Sequence, residues 1–165
     1  MKSRPGGYDF PRQKEGIFMI DREIHKILIP VDDSKMSDRA FDYGMDMAKL
    51  FDAEVHVIYV ANGEGMSTPD FTVHFNEKND DTSPLKEKGA AVLARLMKRV
   101  PEGVKVHQEI LLGSPEVMIA LTAEDDGADL IIMGSSGRNS FSSMFLGSVS
   151  YYTVHHVKCP VLLIK

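Results

Sequence analysis

The chain has 165 residues, 43% of them hydrophobic and 26% charged, which fits one globular domain and excludes a disordered chain. Its formal net charge is -5, so the chain has no excess of positive charge to attract polyanions. Neither nucleic acid nor a membrane surface is therefore expected as a partner. Cys159 cannot form an internal disulfide, because it is the single cysteine. No apolar run approaches the roughly twenty residues of a membrane span, and no signal peptide is evident. We therefore expect a cytoplasmic protein.

The first 24 residues differ in character from the rest of the chain. Residues 1–24 mix proline, glycine and charged residues without a period, which predicts an irregular N-terminal arm. From His25 onward, short apolar runs alternate with longer amphipathic stretches. The folded domain is therefore expected to span residues 25–165.

Patterns typical of strands and helices alternate through this domain. Apolar or alternating runs predict strands at residues 26–31, 54–60, 104–112, 129–133 and 161–164. Helical spacing predicts helices at 34–51, 84–100, 115 to about 127, and 149–157, while the polar stretch 61–83 predicts a loop. Such alternation is typical of a parallel sheet covered by helices on both faces. The predicted fold is an open, doubly wound α/β sandwich with a five-stranded parallel sheet.

The last predicted strand, at residues 161–164, is apolar on both sides. If it lies at an edge of the sheet, its unpaired backbone groups would invite pairing with another strand. A homodimer formed through this C-terminal strand is our hypothesis.

In open α/β sheets, ligands bind at the carboxyl ends of the strands. The loop after the first strand, PVDDSK at residues 30–35, contains no glycine and two carboxylates, so it cannot wrap a phosphate as a P-loop does. We interpret Asp33 as an acidic residue that favours the N-terminus of the following helix, rather than as half of a metal pair or an acid/base dyad with Asp32. No clustered His/Cys set or GxSxG motif is present, so no metal ligand and no catalytic residue is predicted.

The loop after the fourth strand, residues 134–148, reads GSSGRNSFSSMFLGS. Its glycines allow backbone N–H groups to point at an anion, and its serines add hydroxyl donors. Gly147 and Ser148 lie just before a predicted helix, whose N-terminus favours negative charge. These residues alone are compatible both with a phosphate site and with a flexible loop.

Gly134, Gly137, Gly147 and Ser148 match the pattern GxxG, nine residues, then GS. This pattern resembles the nucleotide-binding signature of ATP-binding universal stress proteins. The segments KILIPVDDS, AEVHVIYV, LLGSP, DLIIMGSSGR, GSVS and CPVLLIK also resemble that family, in the family's order, over about residues 25–165. The resemblance implies a Rossmann-like fold of the adenine nucleotide alpha hydrolase-like type. It also implies ATP as the ligand, with Mg or Mn as counter-ion.

The resemblance further implies a role for each matched residue. Pro30, Val31 and Asp32, together with Val60, would surround the adenine, and Met133 would line the pocket wall. Asp32 is suited to accept a hydrogen bond from the adenine amino group. The ribose and phosphates would be contacted by Gly134, Gly137, Gly147, Ser148 and Val149.

Arg138 lies in the same loop, where it would either touch the terminal phosphate or remain solvated.

The function that we favour from the sequence is an ATP-binding regulatory protein of the stress response, in which the nucleotide orders the glycine loop. A slow ATPase or phosphotransferase is an alternative, but the sequence offers no base or metal ligand beyond Asp32 and nearby serines. A nucleotide-independent dimeric interaction module is a further alternative. The intact glycine signature counts against that module.

Overall fold

A computed structural model describes residues 23–62, 83–136 and 146–165. The described chain alternates strands and helices in the order β1 (Lys26–Val31), α1 (Lys35–Phe51), β2 (Glu54–Ala61), α2 (Ser83–Met97), β3 (Val106–Leu112), α3 (Pro115–Asp125), β4 (Leu130–Gly134), α4 (Ser148–His156) and β5 (Val161–Ile164). Residues 1–22 of the predicted arm and 63–82 of the predicted loop lie outside the described residues.

The five strands form one sheet in the order β3-β2-β1-β4-β5, and every pair is parallel. The chain winds outward from β1 through β2 to β3, and then returns to the other side of β1 to form β4 and β5. The direction of winding therefore reverses between β1 and β4. This arrangement confirms the predicted open, doubly wound parallel sheet.

A hydrophobic core lies on each face of the sheet. Ile27 and Ile29 of β1 pack with Phe41 of α1 and Leu96 of α2 on one face. Leu28 points to the other face, in the core that contains Ile119 of α3 and Ile131 of β4. Residues 27–31 of β1 are all buried, because helices cover both sides of this central strand. This double burial explains the continuous apolar runs in the sequence.

Helix α1 begins and ends with identifiable caps. The Ser34 side chain accepts a hydrogen bond from the backbone N–H of Ser37 at 3.1 Å, so Ser34 is the N-cap residue. After Phe51, the C-cap residue Asp52 adopts the left-handed conformation with φ of 53°, which ends the helix. These caps fix the position of α1 immediately after the carboxyl end of β1.

Helix α2 is shorter than its sequence pattern predicted, since it ends at Met97 rather than at Val100. The reason is that Val100 precedes Pro101, which disfavours helical backbone at the preceding residue. None of the helices within the described ranges has the length and apolar character needed to cross a membrane.

Phe41 provides a test of the core on the α1 face, because its side chain is fully buried. Replacing Phe41 by alanine should lower the free energy of unfolding by about 3–5 kcal/mol, measured by urea denaturation. Tyr43→Ala on the same helix is the matched control, since Tyr43 is 49% exposed; its effect should stay within about 0.5 kcal/mol. Equal losses for the two variants would contradict this placement of α1.

Candidate functional site

A cleft of about 520 Å³ opens at the carboxyl ends of β1, β2 and β4. It includes the point between β1 and β4 where the winding of the chain reverses. Its volume falls within the range of about 300–1,000 Å³ that is usual for small-molecule sites. The position is the one that the topology of an open α/β sheet favours for a ligand.

The structure brings together all of the predicted site residues that it describes. They line this one cleft although they come from separate segments of the chain: Pro30, Val31, Asp32, Val60, Met133, Gly134, Gly147, Ser148 and Val149. The other predicted residues, Gly137 and Arg138, lie outside the described residues.

Asp32 is held in the cleft by a tight turn between β1 and α1. Its carboxylate Oδ1 accepts a hydrogen bond from the Ser34 N–H at 3.0 Å, and its own N–H donates to the Ser37 hydroxyl at 2.9 Å. A carboxylate accepts several hydrogen bonds, so Asp32 retains capacity for a donor on a ligand. The turn therefore positions an acceptor at the edge of the cleft.

The neighbouring acid, Asp33, faces different surroundings. Its Oδ1 lies 3.6 Å from Nη2 of Arg95 on α2. Arg95 also donates two hydrogen bonds to Asp38, at 2.5 and 2.9 Å, and these bonds, with the charges of Asp38 and Asp33, raise the pKa of Arg95 above its usual value. Asp33 thus belongs to an ion-pair network between α1 and α2, and it does not form a dyad with Asp32.

Gly134, the last residue of β4, allows an unusually close approach of helix and strand. A Cβ atom at this position would lie 3.0 Å from Cβ of Met36 and 3.2 Å from its backbone carbonyl carbon. The Gly134 carbonyl accepts a hydrogen bond from the Ser150 hydroxyl at 2.9 Å. The absence of a side chain therefore lets the start of α1 lie close to the end of β4, and the Ser150 bond holds the start of α4 there.

The N-terminus of α4 faces the same cleft. Gly147 is the N-cap residue, and its N–H donates to the Ser135 carbonyl at 2.9 Å. This amide is thus already used within the fold, whereas first-turn N–H groups have no partner inside their own helix. The first-turn backbone amides, among them those of Ser148 and Val149 in the cleft lining, are therefore candidate donors for a ligand. The Ser148 hydroxyl lies 3.5 Å from a carboxylate oxygen of Glu116.

Several residues of the cleft were not identified from the sequence. They are Ser34, Ser37, Tyr59, Ala61, Asn62, Leu85, Lys88, Pro115, Ile119, Ser136 and Ser150. Most lie close in sequence to a predicted residue, so a wider search around each strand end would have found them. Leu85 and Lys88 come from α2, whose pattern indicated only a core-facing helix. Among the described lining residues, Lys88 is the only basic one.

Comparison with known proteins gives the same family as the sequence motifs. The profile of the universal stress protein family matches residues 23–165. Universal stress protein MJ0531 of Methanocaldococcus jannaschii is 38% identical over 144 residues, covering 85% of this chain and 81% of the relative. YxiE of Bacillus subtilis is 30% identical over 146 residues, covering 86% and 99%. The chain belongs to the universal stress protein family.

Solved structures show the same fold. Protein MJ0577 superposes with a TM-score of 0.74 at 28% identity, covering 87% of this chain and 97% of that one. A universal stress protein in complex with cAMP superposes with a TM-score of 0.68 at 19% identity, covering 87% and 99%. The universal stress protein of Archaeoglobus fulgidus in complex with dAMP superposes with a TM-score of 0.59 at 21% identity, covering 87% of this chain and 100% of that one.

The buried Ser37 hydroxyl, 4% exposed, tests the turn that positions Asp32. Ser37→Ala leaves the Asp32 N–H without its acceptor and should lower the free energy of unfolding by about 1–2 kcal/mol in urea denaturation. Asp46→Ala on the same helix is the control, because Asp46 is exposed. Its cost should stay within about 0.5 kcal/mol. A stability unchanged by Ser37→Ala would show that this hydrogen bond does not hold the turn.

Proposed function

We propose that this chain is a cytoplasmic, ATP-binding regulatory protein of the stress response, which holds the nucleotide with Mg or Mn in the cleft at the carboxyl ends of β1, β2 and β4. The observation that carries the proposal is that one cleft combines the Asp32 carboxylate with the glycine end of β4 and the first turn of α4. Hydrogen-bond acceptor and anion-binding groups thus line a single cavity of nucleotide size.

The adenine part of the proposed site has apolar walls and one polar group. Pro30, Val31, Val60 and Met133 line the cleft and offer apolar contact for a flat base. Asp32 accepts a hydrogen bond from the exocyclic amino group of adenine. Guanine carries a carbonyl oxygen at that position, which a carboxylate would repel. The site should therefore discriminate against guanine.

The phosphate part of the proposed site depends on backbone groups. The amides of Ser148 and Val149 lie in the first turn of α4, where the helix dipole favours negative charge. Gly137 and Arg138, in the adjacent loop, are proposed to extend these contacts, as the resemblance to the family signature implies. Because few cations are supplied by the cleft lining, Mg or Mn would arrive with the triphosphate.

Relatives of the same fold support an adenine nucleotide as the ligand class. One universal stress protein of this fold was solved in complex with cAMP, and another in complex with dAMP. We favour regulation over turnover because Asp32 is the only carboxylate among the described lining residues, and adenine recognition already uses it.

Calorimetric titration of Mg-ATP into nucleotide-free protein tests this proposal. Asp32→Ala should weaken binding by about 10- to 100-fold, because a hydrogen bond to a charged group contributes about 1.5–3 kcal/mol. Asp33→Ala is the matched control and should bind ATP as the wild type does, since Asp33 faces Arg95. GTP should bind the wild type more weakly than ATP. Equal affinities for ATP in wild type and Asp32→Ala would contradict the adenine assignment.

We propose in addition that the chain forms a homodimer through β5. This strand lies at the edge of the sheet, and its Leu162 is 36% exposed, so backbone and apolar groups are available to a second copy. The partner strand would satisfy the edge hydrogen bonds by pairing alongside β5.

Light scattering coupled to size exclusion should give twice the chain mass of 18.4 kDa at micromolar concentration. Leu162→Lys places a charge on the edge strand and should shift the mass to that of a monomer. Leu50→Lys is the control, because Leu50 is 77% exposed on α1, and it should stay dimeric. A monomeric wild type would remove the dimer proposal.

A further inference from the structure

Two histidines lie side by side at the amino ends of β2 and β3, at the opposite end of the sheet from the cleft. His56 and His107 are register partners in this parallel pair, with ring centroids 4.7 Å apart. Glu109 is two residues beyond His107 and therefore shares its face of β3. The potential ligand atoms of His56, His107 and Glu109 all lie within 4.8 Å of one another.

The His56 ring is oriented by a carboxylate from another element. Its Nδ1 lies 2.5 Å from Oδ2 of Asp126, which follows α3, and the side chain is only 15% exposed. The other ring nitrogen, Nε2, is buried and has no hydrogen-bond partner among the described residues. A buried polar atom without a hydrogen-bond partner lowers the stability of the folded state, so its presence calls for an explanation.

A simple pairing of His56 with two carboxylates does not satisfy Nε2. Its nearest carboxylate oxygen, Oε2 of Glu109, is 3.5 Å away, beyond the usual hydrogen-bond range of about 2.7–3.2 Å. If Nδ1–H donates to Asp126, Nε2 carries a lone pair that points toward His107 and Glu109. A carboxylate that orients a histidine in this way is the usual second partner of a metal-bound imidazole.

We propose that His56, His107 and Glu109 bind a divalent transition-metal ion of the zinc class, and that Asp126 positions His56. Two imidazoles and one carboxylate are ligands that Zn²⁺ prefers, whereas Ca²⁺ and Mg²⁺ prefer oxygen ligands alone. Three protein ligands leave a fourth position open to water or to a further ligand.

The present spacing permits closure around an ion. Ligand atoms at about 2.0–2.2 Å from zinc in a tetrahedron are roughly 3.3–3.6 Å apart, so the cluster must contract by up to about 1.5 Å from its 4.8 Å limit. The His107 and Glu109 side chains are exposed rather than packed in a core, so closing around an ion requires only side-chain rotation. A groove of about 330 Å³ beside His56 and His107 leaves room for solvent on the ion.

Neighbouring lysines do not neutralise the cluster directly. Lys105 lies 3.1 Å from a carboxylate oxygen of Glu54, and Lys26 donates to the Asp126 carbonyl at 3.0 Å. The carboxylates of Glu109 and Asp126 therefore give the site a negative charge that favours a cation. His56 and Val60 are four residues apart on β2, or about 13 Å. The metal site is thus distinct from the proposed nucleotide cleft and does not rest on nucleotide binding.

Calorimetric titration of ZnCl₂ into the untagged full-length chain, stripped of metal with EDTA, tests the proposal. We expect one Zn²⁺ per chain. Binding should be at least about 100-fold weaker in His107→Ala and Glu109→Gln, because loss of a direct ligand lowers metal affinity at least as much as loss of a residue that orients a ligand. Both residues are exposed, so the metal-free variants should melt as the wild type does. His155→Ala is the matched control, since His155 lies on α4 and contacts the Tyr151 carbonyl at 2.7 Å. It should leave the affinity unchanged.

Asp126→Asn separates a positioning role from a structural one. It should weaken Zn²⁺ binding by about 10- to 100-fold. The visible absorption bands of Co²⁺ bound to the variant should match those of the wild type, because the direct ligands are the same. Zn²⁺ affinity unchanged in His107→Ala and Glu109→Gln would overturn the site. An equal loss in His155→Ala would also overturn it, by showing adventitious binding to surface histidines.

Discussion

The double burial of β1 is the constraint on which the rest of the structure depends. The strand pairs with β2 on one side and with β4 on the other, and helices cover both of its faces. At its start, the Asp129 carboxylate accepts hydrogen bonds from the N–H groups of His25 and Lys26, both at 2.9 Å, which fixes β1 against β4. The connections leave β1 and β4 in opposite directions, so their carboxyl ends border an open cleft rather than a packed core.

Parallel pairing also makes the two ends of the sheet chemically different. The carboxyl ends present the Asp32 turn, Gly134 and the first turn of α4, which are groups suited to a nucleotide. The amino ends present His56, His107 and Glu109, which are groups suited to a metal ion. The two proposed sites, of different chemistry, thus follow from one strand arrangement and lie at opposite ends of β2.

The fold was predictable because apolar or alternating runs mark the strands and the helices alternate with them, with a periodic apolar face clear in α1 and α2. This alternation alone indicates a covered parallel sheet. The position of the cleft was predictable because ligands of such sheets bind at strand ends, and the described residues that the sequence singled out line it. Hydrogen bonds could not be predicted from the sequence. For example, the Gly147 N–H donates to the Ser135 carbonyl, and no sequence pattern indicates this bond. Lys88 and the pair His56 and His107 were also missed, because residues distant in sequence meet only through helix packing and strand register. The roles of Gly137 and Arg138 stay predictions.

The most direct test of the account is to follow backbone amide resonances of the ¹⁵N-labelled protein during titration with Mg-ATP. Saturable shifts should concentrate at the residues that line the cleft, with Ser148 and Val149 among the largest, because their amides are proposed to donate to phosphate. Resonances at the amino ends of β2 and β3 should stay unchanged. Shifts confined to those amino ends, or no saturable shift at millimolar ATP, would contradict the assignment of the cleft as the nucleotide site.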